Sequence, residues 1–429
     1  MTRKIRGAAA VAFGLGIALV ATGCAGNGED TSDSANGEVT LTVWENASPG
    51  PGQEFWESAV KEYMAENPKI TIELQTVQNE DFDGKLQTAL NSNSAPDIFL
   101  QRGGGKMRAM VEAGQLKELP FTEQDKANAG AAVAGATIDG KVYAVPLSTN
   151  PEGIYYSKEL FEKAGIAEPP KTMDELEDAV AKLKKIDVAP IAVGAKDAWP
   201  AAHWYYNFAL RNCSQDTMSK AAAELKFDDP CWTKAGKDLE KFLKVEPFQK
   251  GYLTTPAQQG AGSSAGMLAN HKAGMELMGN WNPGVIAGLT PDKKPLPDLG
   301  WFPFPAVDGG QGDPSAMMGG SDGYSVAKDA PKEAFEFLRW LATKEQQEKY
   351  AKGFSTIPVN KEAQGVVTDD YNVSALEAFN KAAYTMMFLD TEYGQNIGNA
   401  MNTAVVNLMA GKGTAEDIVK NTNAAAAKG

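Results

Sequence analysis

The sequence predicts an α/β protein with two units, each built around its own sheet, and three observations lead to that prediction. The chain has 429 residues, too many for one hydrophobic core, so two domains are expected. Residues 39–100 follow the pattern β-α-β-α-β, which predicts a parallel sheet with right-handed crossovers. A second series of strands and helices begins after residues 143–151, where the chain changes character.

The first unit has three predicted strands and two predicted helices. Val39–Trp44 is rich in β-branched residues, residues 70–77 alternate between apolar and polar, and residues 96–100 form a short apolar run. These patterns are typical of strands. Apolar residues at helical spacing from residue 55 predict a helix that ends at Asn67-Pro68. A more polar helix, over about residues 82–91, leads into the third strand.

The second unit mixes short strands with longer helices. Thr172 and Glu175 form a capping box, which predicts the start of a helix reaching about residue 185. Further strands are predicted at residues 153–156, 190–194, 274–281, 299–305 and 325–327. Further helices are predicted at residues 157–163, 331–350, 374–388, 395–410 and 414–425, with a mainly helical stretch over 200–250.

Composition excludes several classes of function. The 41 Lys and Arg residues against 55 Asp and Glu residues give a net charge of −14. Phosphate backbones would repel such a chain, so we predict no nucleic-acid partner. His203 and His271 are the two histidines of the sequence, which excludes a His-rich metal centre, and we predict no metal and no cofactor.

Residues 1–23 have the organisation of a secretory signal peptide. Three positive charges precede an apolar run that is too short to span a bilayer comfortably. Residues 20–24, VATGC, resemble the lipobox of bacterial lipoproteins, which implies lipidation of Cys24; an ordinary cleaved signal is the alternative. Residues 24–37 have no large apolar side chain, so we predict a flexible tether there.

Two cysteines remain after Cys24, namely Cys213 and Cys231. An even pair in an oxidising compartment predicts a disulfide, which we expect at the protein surface, away from any ligand. Two free buried thiols are the alternative.

Several segments, in this order and spacing, resemble one known family. They are residues 41–44, Ala95–Ile98, Tyr143–Pro146, Tyr155–Phe161, Gly279–Trp281 and Gly319–Tyr324, together with the lipobox. The sequence resembles the solute-binding lipoproteins of sugar ABC importers, the cluster that includes maltose-binding protein. The resemblance implies a periplasmic-binding-protein-like fold of two lobes with a hinge and an interlobe ligand cleft. It implies an N-lobe of residues 38–147 plus 323–356 and a C-lobe of 148–322 plus 357–429.

A sugar offers hydroxyl groups at its rim and C–H groups on its faces, so its receptor needs amides, carboxylates and aromatic platforms. In open α/β sheets such side chains lie just past the carboxyl ends of strands. Applied to this chain, and to the places where the family binds sugar, that rule gives a set of candidates. They are Glu45, Asn46, Gln78, Asn79, Gln101, Trp199, His203, Trp204, Gln258, Asn280, Trp281, Ser321 and Asp322.

Ordinary structural roles compete with several of these assignments. Asn46 and Gln78 could be turn residues without a ligand role, and a core-packed aromatic helix could account for Tyr206 and Phe208. The glycine run Gly103–Gly105 suggests a phosphate loop, but no Lys-Ser/Thr follows it, so we interpret it as a flexible edge of the cleft.

The resemblance implies a lipid-anchored, monomeric receptor on the extracellular face of the cytoplasmic membrane, which delivers an oligosaccharide to the permease of an ABC importer.

A secreted carbohydrate-active enzyme is the rival class. It needs two carboxylates about 5–10 Å apart, and Glu45, Asp322 and Asp390 could be combined for that purpose.

Similarity to actinobacterial receptors favours xylobiose or a xylo-oligosaccharide as the ligand. Chitobiose, N-acetylglucosamine and α-galactosides are the alternatives.

Overall fold

The computed structural model describes residues 37–92 and 94–428. The predicted signal peptide, Cys24 and all but the last residue of the predicted tether lie outside that range. Among the described residues, none of the helices combines the length and the apolar character needed to cross a membrane.

Fourteen strands are present among the described residues. They are β1 (Val39–Glu45), β2 (Ile70–Thr76), β3 (Ile98–Gln101), β4 (Thr137–Ile138), β5 (Lys141–Val142), β6 (Val145–Pro146), β7 (Ser148–Ser157), β8 (Ala189–Ala192), β9 (Ala273–Gly279), β10 (Leu299–Phe302), β11 (Met317–Gly320), β12 (Gly323–Val326), β13 (Ile357–Pro358) and β14 (Thr385–Met386).

Seventeen α-helices lie within the same described residues. They are α1 (Pro51–Glu66), α2 (Asn79–Asn91), α3 (Gly104–Glu112), α4 (Glu123–Ala129), α5 (Lys158–Lys163), α6 (Met173–Lys185), α7 (Trp199–Asn212), α8 (Gln215–Glu224), α9 (Pro230–Leu243), α10 (Ser264–Ala269), α11 (Asn282–Leu289), α12 (Lys332–Leu341), α13 (Lys344–Phe354), α14 (Asp370–Lys381), α15 (Leu389–Glu392), α16 (Gln395–Met409) and α17 (Ala415–Ala426).

The first lobe is built around a five-stranded sheet in the order β2-β1-β3-β12-β6. β1 pairs in parallel with both β2 and β3, which confirms the parallel sheet predicted for residues 39–100. β12 comes from far downstream and pairs antiparallel with β3, with Gly323 opposite Gln101. The start of β12 therefore lies at the same edge of the sheet as the ends of β1 and β3.

The second lobe is built around a seven-stranded sheet centred on β7. β7 pairs antiparallel with β9, β10, β11 and β13 at successive positions along its length. Because neighbouring residues of a strand face opposite sides, Ile154 packs in one hydrophobic cluster and Tyr155 in another. The sheet is thus covered on both faces, as in other α/β folds.

The chain passes between the two sheets in short steps. Only Leu147 separates β6 of the first sheet from β7 of the second, and Ser321 and Asp322 separate β11 from β12. A third crossing runs from α13 to β13, which pairs with β7. The first two connections are hydrogen-bonded to each other, because the Asp322 carbonyl accepts the amide protons of Leu147 and Ser148 at 2.9 and 3.2 Å. The edges of the two sheets that carry these connections are therefore held side by side.

Two of the predicted helices differ from the structure. The single helix predicted over residues 331–350 is two helices, α12 and α13, because Thr343 adopts an extended backbone conformation between them. The helix predicted over residues 374–388 is wrong beyond Lys381, where β14 pairs with β11. In that segment strand pairing outweighs the helical periodicity of the sequence.

Cys213 and Cys231 form the predicted disulfide, with their Cα atoms 5.1 Å apart. The expectation of a surface position is wrong, because both side chains are buried. Cys213 ends α7, which is buried over nearly its whole length, and Cys231 lies in the first turn of α9, which packs against α7. The bond therefore joins two core helices of the second lobe.

We expect the Cys213→Ser/Cys231→Ser double variant to be less stable than the wild type by about 3 kcal/mol, the entropic contribution of a loop of this length. Urea unfolding followed by circular dichroism measures the difference. Two alkylatable thiols in the non-reduced wild-type protein would contradict the bond itself.

A buried carboxyl group on β9 makes stability depend on pH. Burial raises the pKa of Glu276 from 4.5 to about 7, although Asn282 Nδ2 donates a hydrogen bond to it at 2.7 Å. The folded state therefore holds a proton that the unfolded state has lost between those pH values. The resulting stabilisation is present below pH 4.5 and disappears as the pH rises through about 7.

We expect Glu276→Gln, which cannot ionise, to become more stable relative to the wild type as the pH rises from 5 to 8. The pKa shift corresponds to about 3 kcal/mol. Melting temperatures of both proteins across that pH range measure the difference. Glu45, whose pKa burial also raises to about 7, should leave part of the pH dependence in the variant. Parallel curves would show that Glu276 is not the titrating group.

Candidate ligand-binding cleft

A cavity of about 760 Å³ lies between the two lobes, where the connections between the sheets run. Its first-lobe side is formed by residues that follow β1 and β3, by the first turns of α2 and by Asp322. Its second-lobe side is formed by the start of α7, the turn after β9 and the segment that contains α15 and α16. The segments that connect the lobes also contribute, through Ser148 and Asn150, Gly320 and Asp322, and Phe354 and Thr356.

The first-lobe side is a network of hydrogen-bonded polar side chains. Asn79 Oδ1 accepts one hydrogen bond from Asn46 Nδ2 at 3.1 Å and another from Arg102 Nη2 at 2.6 Å. Arg102 Nη1 lies 2.6 Å from Asp83 Oδ1, and Lys106 Nζ lies 2.8 Å from the other oxygen of the same carboxylate. Burial alone would raise the pKa of Asp83, yet the two cations outweigh it and lower the pKa to about 2. Asp83 is thus ionised and fixed in place.

Asp322 and Asp390 are two more of the carboxylates that line the cavity, and each has an amide partner. Asp322 Oδ2 accepts a hydrogen bond from Asn150 Nδ2 at 2.9 Å, and Asp390 Oδ2 accepts one from Asn402 Nδ2 at 3.1 Å. Burial raises the pKa of Asp322, while Arg102 and Asn150 act in the opposite direction. A carboxylate oriented by an amide keeps further lone pairs for hydroxyl groups of a ligand.

The second-lobe side is an aromatic wall made of Trp199, His203, Trp281 and Phe388. The rings of Trp199 and Trp281 meet edge to face, with centroids 6.1 Å apart and planes at 61°. Phe388 stacks on the His203 ring at 4.6 Å and approaches Trp281 at 5.6 Å. Two indoles at a steep angle form a corner, which can cover the apolar faces of two differently oriented rings.

Local sequence determines where the two tryptophans lie. Trp199 and Pro200 are the first two residues of α7, and proline suits such a position because its missing N–H has no partner there anyway. Trp281 lies directly over Gly279, where a Cβ atom would come within 2.1 Å of the indole. A glycine is therefore required beneath Trp281 to leave its ring in this position.

A buried ion pair lies behind the aromatic wall. Glu152, on β7, hydrogen-bonds through one oxygen to His203 Nδ1 and accepts a bond from Asn207 Nδ2 at 2.6 Å through the other. Burial would lower the pKa of His203, but the charge of Glu152 outweighs it and raises the pKa. Glu152 therefore fixes the orientation of the imidazole that reaches the cavity.

The structure brings seven of the predicted ligand-binding residues together around the cavity. They are Asn46, Asn79, Trp199, His203, Gln258, Trp281 and Asp322.

The other predicted ligand-binding residues do not line the cavity. Glu45 and Gln101 are buried and turn back to hydrogen-bond the amides of the residues that follow them. Asn280 is buried behind Trp281, where it bonds to Tyr155, Asn372 and Ile357. Three more lie elsewhere. They are Gln78 at the exposed start of α2, Trp204 in the core, and Ser321, whose hydroxyl donates to the Ser148 carbonyl.

Sequence reasoning missed several residues that line the cavity. Arg102 directly follows Gln101, so the same rule about strand ends could have included it. Asp83 was detectable as an acidic residue in the second turn of α2. Asp390 was considered only as a carboxylate of the rival enzyme class. Phe388 gave no usable signal, because the segment that contains it has helical periodicity and reaches the cavity only through long-range packing.

A comparison with protein families supplies the identification. The family described as bacterial extracellular solute-binding proteins matches residues 46–348, well over half of the chain. The chain belongs to this family. Its members are solute-binding proteins and not enzymes, which agrees with a large cavity between two lobes.

Individual relatives cover most of the chain. The diacetylchitobiose-binding protein DasA of Streptomyces coelicolor is 26% identical over 97% of this chain and 96% of its own length. The melibiose/raffinose/stachyose-binding protein MelE of Bacillus subtilis is 25% identical over 79% of this chain and 78% of its own. A solved structure from work on xylan utilisation by Caldanaerobius polysaccharolyticus is 24% identical, covers 90% of this chain and 99% of its own, and superimposes with a TM-score of 0.82. The last likeness establishes the shared two-lobe fold.

Proposed function

We propose that this chain is the extracellular receptor of a sugar ABC importer and binds an oligosaccharide in the interlobe cleft. The observation that carries the proposal is the indole corner of Trp199 and Trp281, which faces the ordered polar network around Arg102. Aromatic faces on one side and fixed hydrogen-bonding groups on the other match the two kinds of surface on a sugar ring.

The relatives support a saccharide ligand and suggest which ones to test. Their names include diacetylchitobiose and the raffinose series, and the structural neighbour comes from work on xylan. Our first choice is xylobiose or a longer xylo-oligosaccharide. Chitobiose, N-acetylglucosamine and α-galactosides are the alternatives within the same proposal.

We further propose how the receptor is organised. Residues 38–147 plus 323–356 would form the N-lobe and residues 148–322 plus 357–429 the C-lobe. The protein would act as a monomer, anchored by a lipid on Cys24 to the extracellular face of the cytoplasmic membrane, and would deliver its sugar to the permease. The short connections between the sheets support a hinge at residues 146–150 and 320–326, about which the lobes close as rigid bodies.

A seam of glycines supports closure of the lobes on a ligand. Gly104 and Gly105, at the start of α3, pack backbone to backbone against residues 391–394 of the second lobe. A Cβ atom on Gly105 would lie 2.7 Å from the Glu392 carbonyl oxygen and 2.8 Å from the Gly394 nitrogen. The lobes can approach this closely only because these positions carry no side chain.

Replacing an indole of the corner should weaken binding without unfolding the protein. We expect Trp281→Ala to cost about 2–4 kcal/mol of binding free energy, from the lost burial and stacking together. That loss corresponds to about a 30- to 1000-fold higher Kd. A thermal-shift panel of disaccharides identifies the ligand, and calorimetric titration then measures its Kd with the wild type and the variant.

Trp301 provides the matched control, because it is a buried tryptophan of the same lobe that does not line the cavity. Trp301→Ala should lower stability by about 3–5 kcal/mol, as core truncations do. If Trp281→Ala gave that pattern instead, with unchanged affinity and a much lower melting temperature, its role would be structural. A panel in which no saccharide binds would refute the proposed function.

Closure of the lobes at the glycine seam predicts that a side chain added there weakens ligand binding. We expect Gly105→Ala to raise the Kd at least several-fold, because the added methyl group holds the lobes apart in the closed state. Gly365→Ala is the matched control, since a Cβ atom at residue 365 meets nothing within 4 Å. Titration of both variants, with small-angle scattering with and without ligand, tests the idea. Equal affinity and equal compaction for both variants would contradict it.

A further inference from the structure

A groove of about 580 Å³ runs along α2 outside the cleft. One aromatic side chain, Trp44, lines it together with a series of polar residues from α2 and the turn after it. Glu80 and Gly84 line both this groove and the interlobe cavity. The groove therefore opens from the mouth of the cleft.

The position of the lining residues along α2 gives the direction of the groove. Glu80, Gly84 and Thr88 follow one another at four-residue spacing and so lie along one face of the helix. Glu80 is in the first turn, at the cleft, and Ser92 caps the other end of the helix. A Cβ atom on Gly84 would meet nothing within 4 Å, so no side chain obstructs the passage at that position.

Trp44 is placed to act as a platform in this groove. Its neighbours on β1, Val43 and Glu45, are fully buried on the opposite face of the sheet, whereas Trp44 is only partly buried. One side of the indole packs on the first-lobe core, and its remaining surface lines the groove.

The polar groups around Trp44 are held in place by hydrogen bonds and one ion pair. Lys85 pairs with Asp81 at 3.4 Å, the Thr88 hydroxyl donates to the Gly84 carbonyl at 2.8 Å, and the Ser92 hydroxyl donates to the Thr88 carbonyl at 2.8 Å. An aromatic face among oriented hydroxyl and charged groups is the combination that sugar rings require.

We propose that this groove extends the ligand site and holds the additional rings of a longer oligosaccharide, with Trp44 as their stacking platform. The proposal rests on the proposed function and deepens it, because it assigns the receptor to saccharides longer than the cleft alone accommodates. One end of the chain lies in the cleft, and the other leaves past Glu80 and Gly84 along α2.

The test compares short and long saccharides of one linkage. The probes are xylobiose with xylotetraose, and diacetylchitobiose with its tetrasaccharide, titrated by calorimetry into the wild type, Trp44→Ala and Thr88→Trp. Thr88→Trp fills the groove without touching the cleft, so it remains informative if Trp44→Ala is poorly folded. Gln87→Trp is the matched control, because Gln87 is an exposed residue of α2 that lines neither the groove nor the cleft.

We expect the wild type to bind the tetrasaccharide about 2- to 10-fold more tightly than the disaccharide, the gain from one stacked ring. Trp44→Ala and Thr88→Trp should remove that gain and leave the disaccharide Kd unchanged, whereas Gln87→Trp should keep it. Equal Kd values for both lengths in the wild type, or a gain that survives Thr88→Trp, would overturn this proposal alone. Failure of every saccharide to bind would overturn the proposed function and this proposal with it.

Discussion

The carbonyl group of Asp322 is the point on which the arrangement of the two lobes depends. It accepts hydrogen bonds from the amides of Leu147 and Ser148, so it ties one connection between the sheets to the other. The Ser321 hydroxyl adds a bond to the Ser148 carbonyl at 2.8 Å. With both connections joined, the carboxyl ends of β1 and β3 lie opposite the second sheet, and the Asp322 side chain projects into the space between them. The cleft exists because these crossings are short and adjacent.

The two sides of the cleft are stabilised by different means. The first-lobe side is held by charges and amides. A single guanidinium group, that of Arg102, hydrogen-bonds both Asp83 and Asn79. The second-lobe side is held by packing, with Gly279 beneath Trp281 and Phe388 stacked on His203. A polar network can exchange hydrogen bonds with a ligand at little cost, whereas a packed aromatic wall offers a rigid surface for stacking.

Much of the fold, and less of the site, could be predicted from the sequence. The strands and crossovers of the first sheet follow from local patterns, and the capping box at Thr172 is present as predicted. At the end of a strand the pattern does not say which of two neighbours faces the cleft. At the end of β1, Glu45 is buried and the next residue, Asn46, lines the cavity. At the end of β3, Gln101 is buried and the next residue, Arg102, lines the cavity. Phe388 and Asp390 reach the cleft through tertiary packing, which no local pattern reports.

The electrostatics of the cleft favour a neutral ligand over a cation, although five carboxylates line it. Asp83 is neutralised by Arg102 and Lys106, and Asp322 is hydrogen-bonded by Asn150. The rest are hydrogen-bonded as well. Asp197 accepts from the Ala257 amide at 2.7 Å, Asp390 from Asn402, and Glu80 from Gln259 at 3.4 Å across the cleft mouth. A polyamine would also meet three cations in the same cleft, Arg102, Lys106 and Lys196, which offset much of the carboxylate charge. Carboxylates that are oriented but already partnered suit the hydroxyl groups of a sugar, which need acceptors and carry no charge.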